Sequence, residues 1–114
     1  MVYLMGIDIG TQSTKVLLID ERGNPVAKSS RGYPISAPCL GYAEQDPEWW
    51  WTAAKASIKE TLRTSQVDAG EVAGIGLCGQ MHGPLLTGKD FKPLRPAIIW
   101  PDKRSSAECS RFQD

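Results

Sequence analysis

Two short apolar runs joined by a polar turn restrict the fold of this chain more than any other feature. Residues 4–9 and 16–19 are almost entirely apolar, and Gly10-Thr11-Gln12-Ser13 closes the first run. Apolar runs of this length are typical of strands that are buried on both faces of a sheet. The sequence therefore predicts two core strands joined by a tight turn.

The next segment has the composition of a hairpin. Residues 20–25 read Asp-Glu-Arg-Gly-Asn-Pro, a combination that favours a reverse turn, and residues 26–33 are more polar. This composition predicts a third, edge-like strand, so that the first three strands are antiparallel neighbours.

A long helix is predicted to follow an irregular segment, residues 34–45. Asp46 suits the N-cap and Pro47 the first helical position, and the helical pattern ends near Thr64 or Ser65. Consecutive helical residues point about 100° apart, so the tryptophans at 49–51 favour core packing over a shared stacking platform. The predicted buried stripe is Trp50, Ala53, Ala54, Ser57, Ile58, Thr61 and Leu62.

The remaining pattern completes the expected fold. Strands are predicted at residues 72–78, 85–87 and 97–100, and Asp102 is the expected N-cap of a final helix that carries no stop signal. Three meandering strands, a helix and another strand are typical of an α/β, ribonuclease H-like (actin-like ATPase) mixed sheet flanked by helices. We expect an incomplete domain, cut from a longer protein.

Composition removes several classes of function. Thirteen basic residues balance thirteen acidic ones, so no net field favours nucleic acid or an anionic membrane. No apolar stretch approaches the roughly 20 residues that cross a bilayer. Cys39, Cys78 and Cys109 are odd in number and match neither a zinc site nor a disulfide framework, which favours a reducing, cytoplasmic setting.

The turn after the first strand carries the sharpest chemical signal. Its glycine allows close backbone approach, and its hydroxyls and amides are donors for phosphate oxygens. Asp8, at the carboxyl end of a buried strand, would suit a hydrated magnesium ion. An ordinary hairpin with Asp8 bonded to backbone amides is the alternative, and the spacings of a P-loop or dinucleotide fingerprint are absent. The candidate phosphate-binding residues are Gly10, Thr11, Gln12, Ser13, Thr14 and Lys15.

A second candidate site is the loop at residues 79–83. Gln80 and His82, the only histidine, can hydrogen-bond to sugar hydroxyls, while Met81 packs on a carbon skeleton. The loop follows a predicted strand, where ligands of open α/β sheets tend to collect. A surface or structural histidine is the alternative interpretation.

These segments together resemble a known family, the FGGY carbohydrate kinases. The resemblance covers nearly the whole chain: Gly6-Ile7-Asp8-Ile9-Gly10-Thr11 with Ser13 and Lys15, then residues 44–50, 79–83 and 95–100. Gln-Met-His-Gly is similar to the sugar-contacting loop of the xylulose kinases, whereas glycerol kinases have an Arg-Glu pair there.

The resemblance implies an ATP- and Mg²⁺-dependent phosphorylation of a primary hydroxyl on a ketopentose. Asp8 would lie near magnesium and the phosphates, the turn would hold the ATP tail, and Met81, His82 and Asp102 would lie at the sugar. Residues 1–114 would form the amino-terminal part of the first domain, with a homodimer as an option for the full-length protein. The missing second lobe would supply the general base, so this chain alone is expected to be inactive.

Two departures keep alternatives open. The family usually has Trp-Asn-Asp-x-Arg near the sugar, with a small or polar residue at x, whereas this chain has Pro101 and Lys103 around Asp102. A kinase for another sugar or polyol is therefore one alternative, and a non-catalytic sugar or nucleotide sensor is another.

Overall fold

The computed structural model describes residues 1–113. Their elements are β1 (Tyr3–Ile9), β2 (Ser13–Asp20), β3 (Pro25–Gly32), β4 (Glu44–Gln45), α1 (Pro47–Ser65), a 3₁₀ turn (Ala69–Glu71), β5 (Val72–Gly79), β6 (Ala97–Ile98) and α2 (Ser106–Gln113). The chain divides into two compact units. The first unit contains Met1–Tyr33 and Glu48–Gln80, and the second contains Pro34–Pro47 and the chain from Met81 onward.

The first unit is built on a four-stranded mixed sheet. Its order is β3-β2-β1-β5, with β1 antiparallel to β2 and parallel to β5. The predicted meander of three antiparallel strands, with β3 at an edge, is confirmed. Strand β2 begins at Ser13, three residues earlier than predicted, because the register pairs Ile9 with Thr14 and leaves only a tight turn between the strands.

The core lies between one face of this sheet and α1. Met5, Ile7, Val16 and Leu18 are buried in one cluster, and side chains of α1 pack against it. The opposite face is open, with Leu4 and Leu17 exposed at 45% and 40%. The apolar runs predicted that β1 and β2 are buried on both faces, whereas the structure buries only one face of each strand.

Helix α1 follows its predicted pattern. It begins at Pro47 and ends at Ser65, as expected from the sequence. Of the predicted stripe, Ala53, Ala54, Ser57 and Thr61 are buried; the remaining three are half-buried. Trp51 is exposed beside Lys55, whose Nζ lies 5.4 Å from the ring centre, so the three tryptophans do not share one environment.

The second unit has little regular structure. Strand β4, which lies in the segment predicted to be irregular, pairs antiparallel with β6, which is shorter than predicted. Residues 85–87 contribute an isolated bridge, Thr87 to Pro93, rather than a strand.

The prediction that Asp102 caps the final helix is wrong, because α2 begins at Ser106 and the Asp102 carboxylate is bound elsewhere. No helix in the described part of the chain has the length and apolarity to cross a bilayer.

Candidate functional site

The turn between β1 and β2 is closed by backbone hydrogen bonds. The Gly10 N–H donates to the Ser13 carbonyl at 2.9 Å, and the Tyr33 N–H donates to the Gln12 carbonyl at 3.1 Å. A Cβ on Gly10 would lie 3.0 Å from the Ser13 oxygen, so the tight closure favours glycine. The predicted phosphate turn is therefore a tight loop tied to the chain that follows β3.

Tyr33 makes a second contact with this turn. Its hydroxyl donates to the Gly10 carbonyl at 2.6 Å and lies 3.2 Å from the hydroxyl of Thr14, which is fully buried. Burial raises the pKa of Tyr33 and the nearby Asp8 charge adds to this rise, against the opposing Thr14 hydrogen bond. The phenol therefore stays protonated at neutral pH. Sequence reasoning missed Tyr33, because nothing in its local pattern marks a contact 23 residues back along the chain.

Asp8 lies on the open face of the sheet. It is opposite Lys15 in the β1–β2 register and opposite Cys78 in the β1–β5 register, which places the three residues on one face. All three line an open cavity with a volume of about 860 Å³. Desolvation and the negative charge of Asp8, which also accepts a hydrogen bond from the thiol, raise the pKa of Cys78. Asp8 is half-buried rather than sealed among apolar groups.

The Asp8 carboxylate suits a magnesium ion that is also bound by phosphates and water, rather than an ion held only by protein ligands. Among residues 1–113, no three His, Cys, Asp or Glu side chains are grouped so that they could hold a metal ion. Magnesium commonly keeps several waters and binds through one or two carboxylates together with substrate phosphates. An accessible carboxylate on a concave face has the chemistry for such water-mediated contact.

Gln80 joins the end of β5 to the same turn. Its N–H donates to the Ile9 carbonyl at 2.9 Å, and its side-chain oxygen lies 3.4 Å from the Thr11 hydroxyl. Gly79 permits this approach, because a Cβ there would lie 2.9 Å from the Ile9 oxygen. The structure therefore brings Gln80, a predicted sugar ligand, together with the predicted phosphate-binding residues.

Met81 and His82 belong to the second unit, where their loop is fixed to β6. The Ile98 N–H donates to the Pro84 carbonyl at 3.2 Å, and a Cβ on Gly83 would lie 3.1 Å from the Ile98 oxygen. His82 has a left-handed backbone with φ of 62°, a conformation in which histidine is enriched among non-glycine residues. Both side chains are exposed, that of Met81 at 70%. The loop thus holds a thioether and an imidazole at the surface of its unit.

Asp102 is held by a network of charged groups. Its carboxylate accepts from the Ala43 N–H at 2.7 Å and from the Arg104 Nε and Nη2, the latter at 2.8 Å. The same Arg104 Nη2 donates to Glu44 at 2.6 Å, and Arg95 forms a further ion pair with that glutamate. The side chains of Asp102 and Glu44 are only 4% and 9% exposed.

The network keeps Asp102 and Arg104 in their charged forms. Hydrogen bonds from Arg104 hold the pKa of Asp102 well below its usual range, and Asp102 in turn raises the pKa of Arg104 above its ordinary value. The guanidinium also stacks 3.8 Å from the centre of the Tyr42 ring. Sequence reasoning assigned Glu44, Arg95 and Arg104 no role in such a cluster, although Arg104 follows Asp102 by two residues.

The chain is similar to carbohydrate kinases over its whole length. Residues 3–114 match the model of the FGGY family of carbohydrate kinases, N-terminal domain. The chain is 42% identical over 115 residues to a xylulose kinase of Lactococcus lactis, covering 100% of this chain and 23% of that protein. The crystal structure of a "xyloylose kinase" from Brucella ovis superposes with a TM-score of 0.93 at 38% identity, covering 96% of this chain and 23% of that one.

The structural similarity extends to a kinase named for a sugar acid rather than a ketose. A gluconate kinase from Lactobacillus acidophilus matches with a TM-score of 0.90 at 32% identity, over 97% of this chain and 22% of that chain. The chain therefore spans less than a quarter of the length of these relatives. The expected mixed α/β fold, of the ribonuclease H-like, actin-like ATPase type, is confirmed by these superpositions.

Proposed function

We propose that this chain, which belongs to the FGGY family of carbohydrate kinases, forms the amino-terminal part of an enzyme that transfers the γ-phosphoryl group of ATP to a primary hydroxyl of a ketopentose such as xylulose. The observation that supports this best is the tight turn of residues 10–13, with the Asp8 carboxylate accessible beside Lys15. In this proposal residues 1–114 are part of the first domain, and a second lobe completes the enzyme.

The nucleotide would be held by the first unit. Phosphoryl transfer depends mostly on positioning and on neutralisation of phosphate charge. The turn of residues 10–13 would donate hydrogen bonds to the phosphate tail, buried Thr14 would support that turn from the core, and Lys15 would add a positive charge near the start of β2. Asp8 would orient the hydration shell of a magnesium ion, which neutralises the phosphates when bound.

The sugar would be held by residues of the loop and of the charged network. Gln80 and His82 would hydrogen-bond to hydroxyls of the sugar, and Met81 would pack on its carbon chain. Because Arg104 lowers the pKa of Asp102, this carboxylate stays ionised and is a weak base. We therefore assign Asp102 to accepting a hydrogen bond from the sugar, and the general base to an aspartate of the second lobe.

The named relatives do not all act on one sugar. The relatives named above act, by their names, on xylulose or gluconate. Pro101 and Lys103 flank Asp102 in this chain, in place of the asparagine and the small or polar residue that the family pattern has there. A ketopentose is our proposal, and another sugar or polyol is the alternative.

The setting of the enzyme follows from the same proposal. We place it in the cytoplasm, where ATP and phosphorylated sugars occur, with a homodimer as one arrangement of the full-length protein. With thirteen basic and thirteen acidic residues, the chain offers no general attraction to nucleic acid or to an anionic membrane.

A coupled assay of ADP release tests this function. The full-length protein should release ADP with xylulose, whereas the 114-residue chain should release none. Turnover of gluconate, ribulose or an alditol without turnover of xylulose would contradict the proposed substrate. Sugar-dependent ADP release by the isolated chain would contradict the need for a second lobe, and binding without turnover by the full-length protein would favour a sensor.

A further inference from the structure

The Gly10 carbonyl is the point where three segments of the first unit meet. It accepts from the Tyr33 hydroxyl at 2.6 Å and lies 3.5 Å from the side-chain nitrogen of Gln80. A carbonyl oxygen can only accept, so the phenol proton is directed at Gly10. The hydroxyl of buried Thr14, 3.2 Å from the phenol oxygen, must then donate to Tyr33. The result is a directed chain of hydrogen bonds from Thr14 through Tyr33 to Gly10.

These two hydrogen bonds, from Thr14 to Tyr33 and from Tyr33 to Gly10, fix the orientation of one peptide group. The Gly10–Thr11 peptide is planar and trans, so its carbonyl and its N–H point in opposite directions. By holding the Gly10 oxygen, Tyr33 keeps the Thr11 N–H directed away from the phenol. Glycine has more backbone freedom than any other residue, so without this restraint the peptide would rotate more readily.

We propose that Tyr33 is a positioning residue for the phosphate-binding turn, holding the Gly10–Thr11 peptide in the orientation that binds the polyphosphate tail of a nucleoside triphosphate. The proposal rests on the proposed function and assigns to it a residue from outside the turn. Tyr33 contacts the turn twice, through its hydroxyl and through its backbone N–H, which donates to Gln12. Its side chain acts through the turn rather than on the phosphates.

Binding measurements on the full-length protein test this role. Tyr33→Phe removes one oxygen and keeps the ring, and we expect the Kd for MgATP, measured by calorimetry, to rise about five- to tenfold, as expected for one lost hydrogen bond. The KM for MgATP should rise in parallel, while the KM for the sugar stays within about twofold. Thr14→Val, which removes the first donor of the chain, should change the same constants in the same direction by a smaller factor.

Tyr3→Phe is the matched control. Tyr3 is a half-buried tyrosine at the start of β1, at the opposite end of the strand from the turn, and its loss of a hydroxyl should leave the Kd for MgATP unchanged. Thermal unfolding of all variants separates positioning from folding, since the loss of one hydrogen bond should lower the midpoint of Tyr33→Phe by only a few degrees and leave it folded at the assay temperature.

Three results would overturn the proposal, and they are distinguishable. An unchanged Kd for MgATP in Tyr33→Phe would remove the positioning role while leaving the proposed function intact. Equal losses of nucleotide and sugar affinity with a lowered unfolding midpoint would assign Tyr33 to stability. A wild-type protein that neither binds nor hydrolyses MgATP would contradict the proposed function itself, and the role of Tyr33 with it.

Discussion

The two units hold their candidate residues by different chemistry. In the first unit, neutral groups fix the turn: backbone amides, the Tyr33 phenol and the Thr14 hydroxyl. In the second unit, a cluster of two carboxylates and two guanidinium groups fixes Asp102. We call the neutral groups around the turn the neutral frame and the charged cluster around Asp102 the ionic frame. A neutral frame suits a phosphate site because fixed negative charge would repel the ligand. An ionic frame keeps a carboxylate charged. Mutations and pH should therefore affect the two regions differently.

The largest expected effect is at Asp8, the carboxylate on the open sheet face beside the turn. Asp8→Asn keeps the shape of the side chain and removes its charge, so a magnesium ion would lose its partner. In the full-length protein we expect kcat/KM for MgATP to fall about 10²- to 10³-fold, the range seen when one preorganised electrostatic contact to a transition state is lost. Asp20→Asn, in the exposed β2–β3 hairpin, is the charge-matched control. Equal activity of the two variants would show that Asp8 has no role at the phosphates.

A second test probes how the loop of the second unit is packed. Gly83→Ala places a Cβ 3.1 Å from the Ile98 oxygen, so the loop must shift by a few tenths of an ångström. Overpacking of this kind costs about 1–3 kcal/mol, and we expect the KM for the sugar to rise while that for MgATP changes little. Gly76→Ala is the control, since a Cβ at that position would have no other atom within 4 Å. A rise in the KM for MgATP alone would contradict this division between the regions.

The pH dependence of stability should reveal the ionic frame. Arg104 holds the folded pKa of Asp102 well below the unfolded value of about 3.8, so Asp102 stabilises the fold above that value, and this contribution is lost as pH falls below about 4. Asp102→Asn should therefore flatten the acid limb of a plot of unfolding midpoint against pH. Asp20, whose pKa is lowered by Asn24, should give a smaller flattening when changed to Asn. Identical acid limbs for wild type and Asp102→Asn would show that the network is broken in solution.

The sequence predicted what depends on local pattern. Apolar runs and turn residues located β1, β2 and β3, and the Asp46-Pro47 start located α1, because these signals act over a few residues. It did not predict β4 or the Tyr33 contact, because both depend on partners far along the chain: β6 lies about 50 residues after β4, and Gly10 lies 23 residues before Tyr33. Asp102 was misplaced as a helix cap because Arg104 and Ala43 compete for its carboxylate. The roles of the candidate site residues stay predictions.

The smallest expected effect concerns the hydroxyl groups of the first unit. Ser57 Oγ on α1 is buried without a hydrogen-bond partner, whereas Ser29 Oγ donates to the Ser57 carbonyl at 2.7 Å and lies 2.9 Å from the Thr61 hydroxyl. Ser57→Ala removes the unpaired oxygen and favours the helix, so the free energy of unfolding should rise by about 1 kcal/mol.

Ser29→Ala should change stability in the opposite direction, because it deletes a paired hydroxyl and leaves Thr61 without this partner. Denaturant unfolding of the two variants measures the contrast, and both should keep wild-type affinity for MgATP because neither residue touches the turn. A loss of stability in Ser57→Ala equal to that in Ser29→Ala would mean that the Ser57 hydroxyl is paired in solution, by a buried water for example. The neutral frame of the first unit would then be as fully satisfied as the ionic frame of the second.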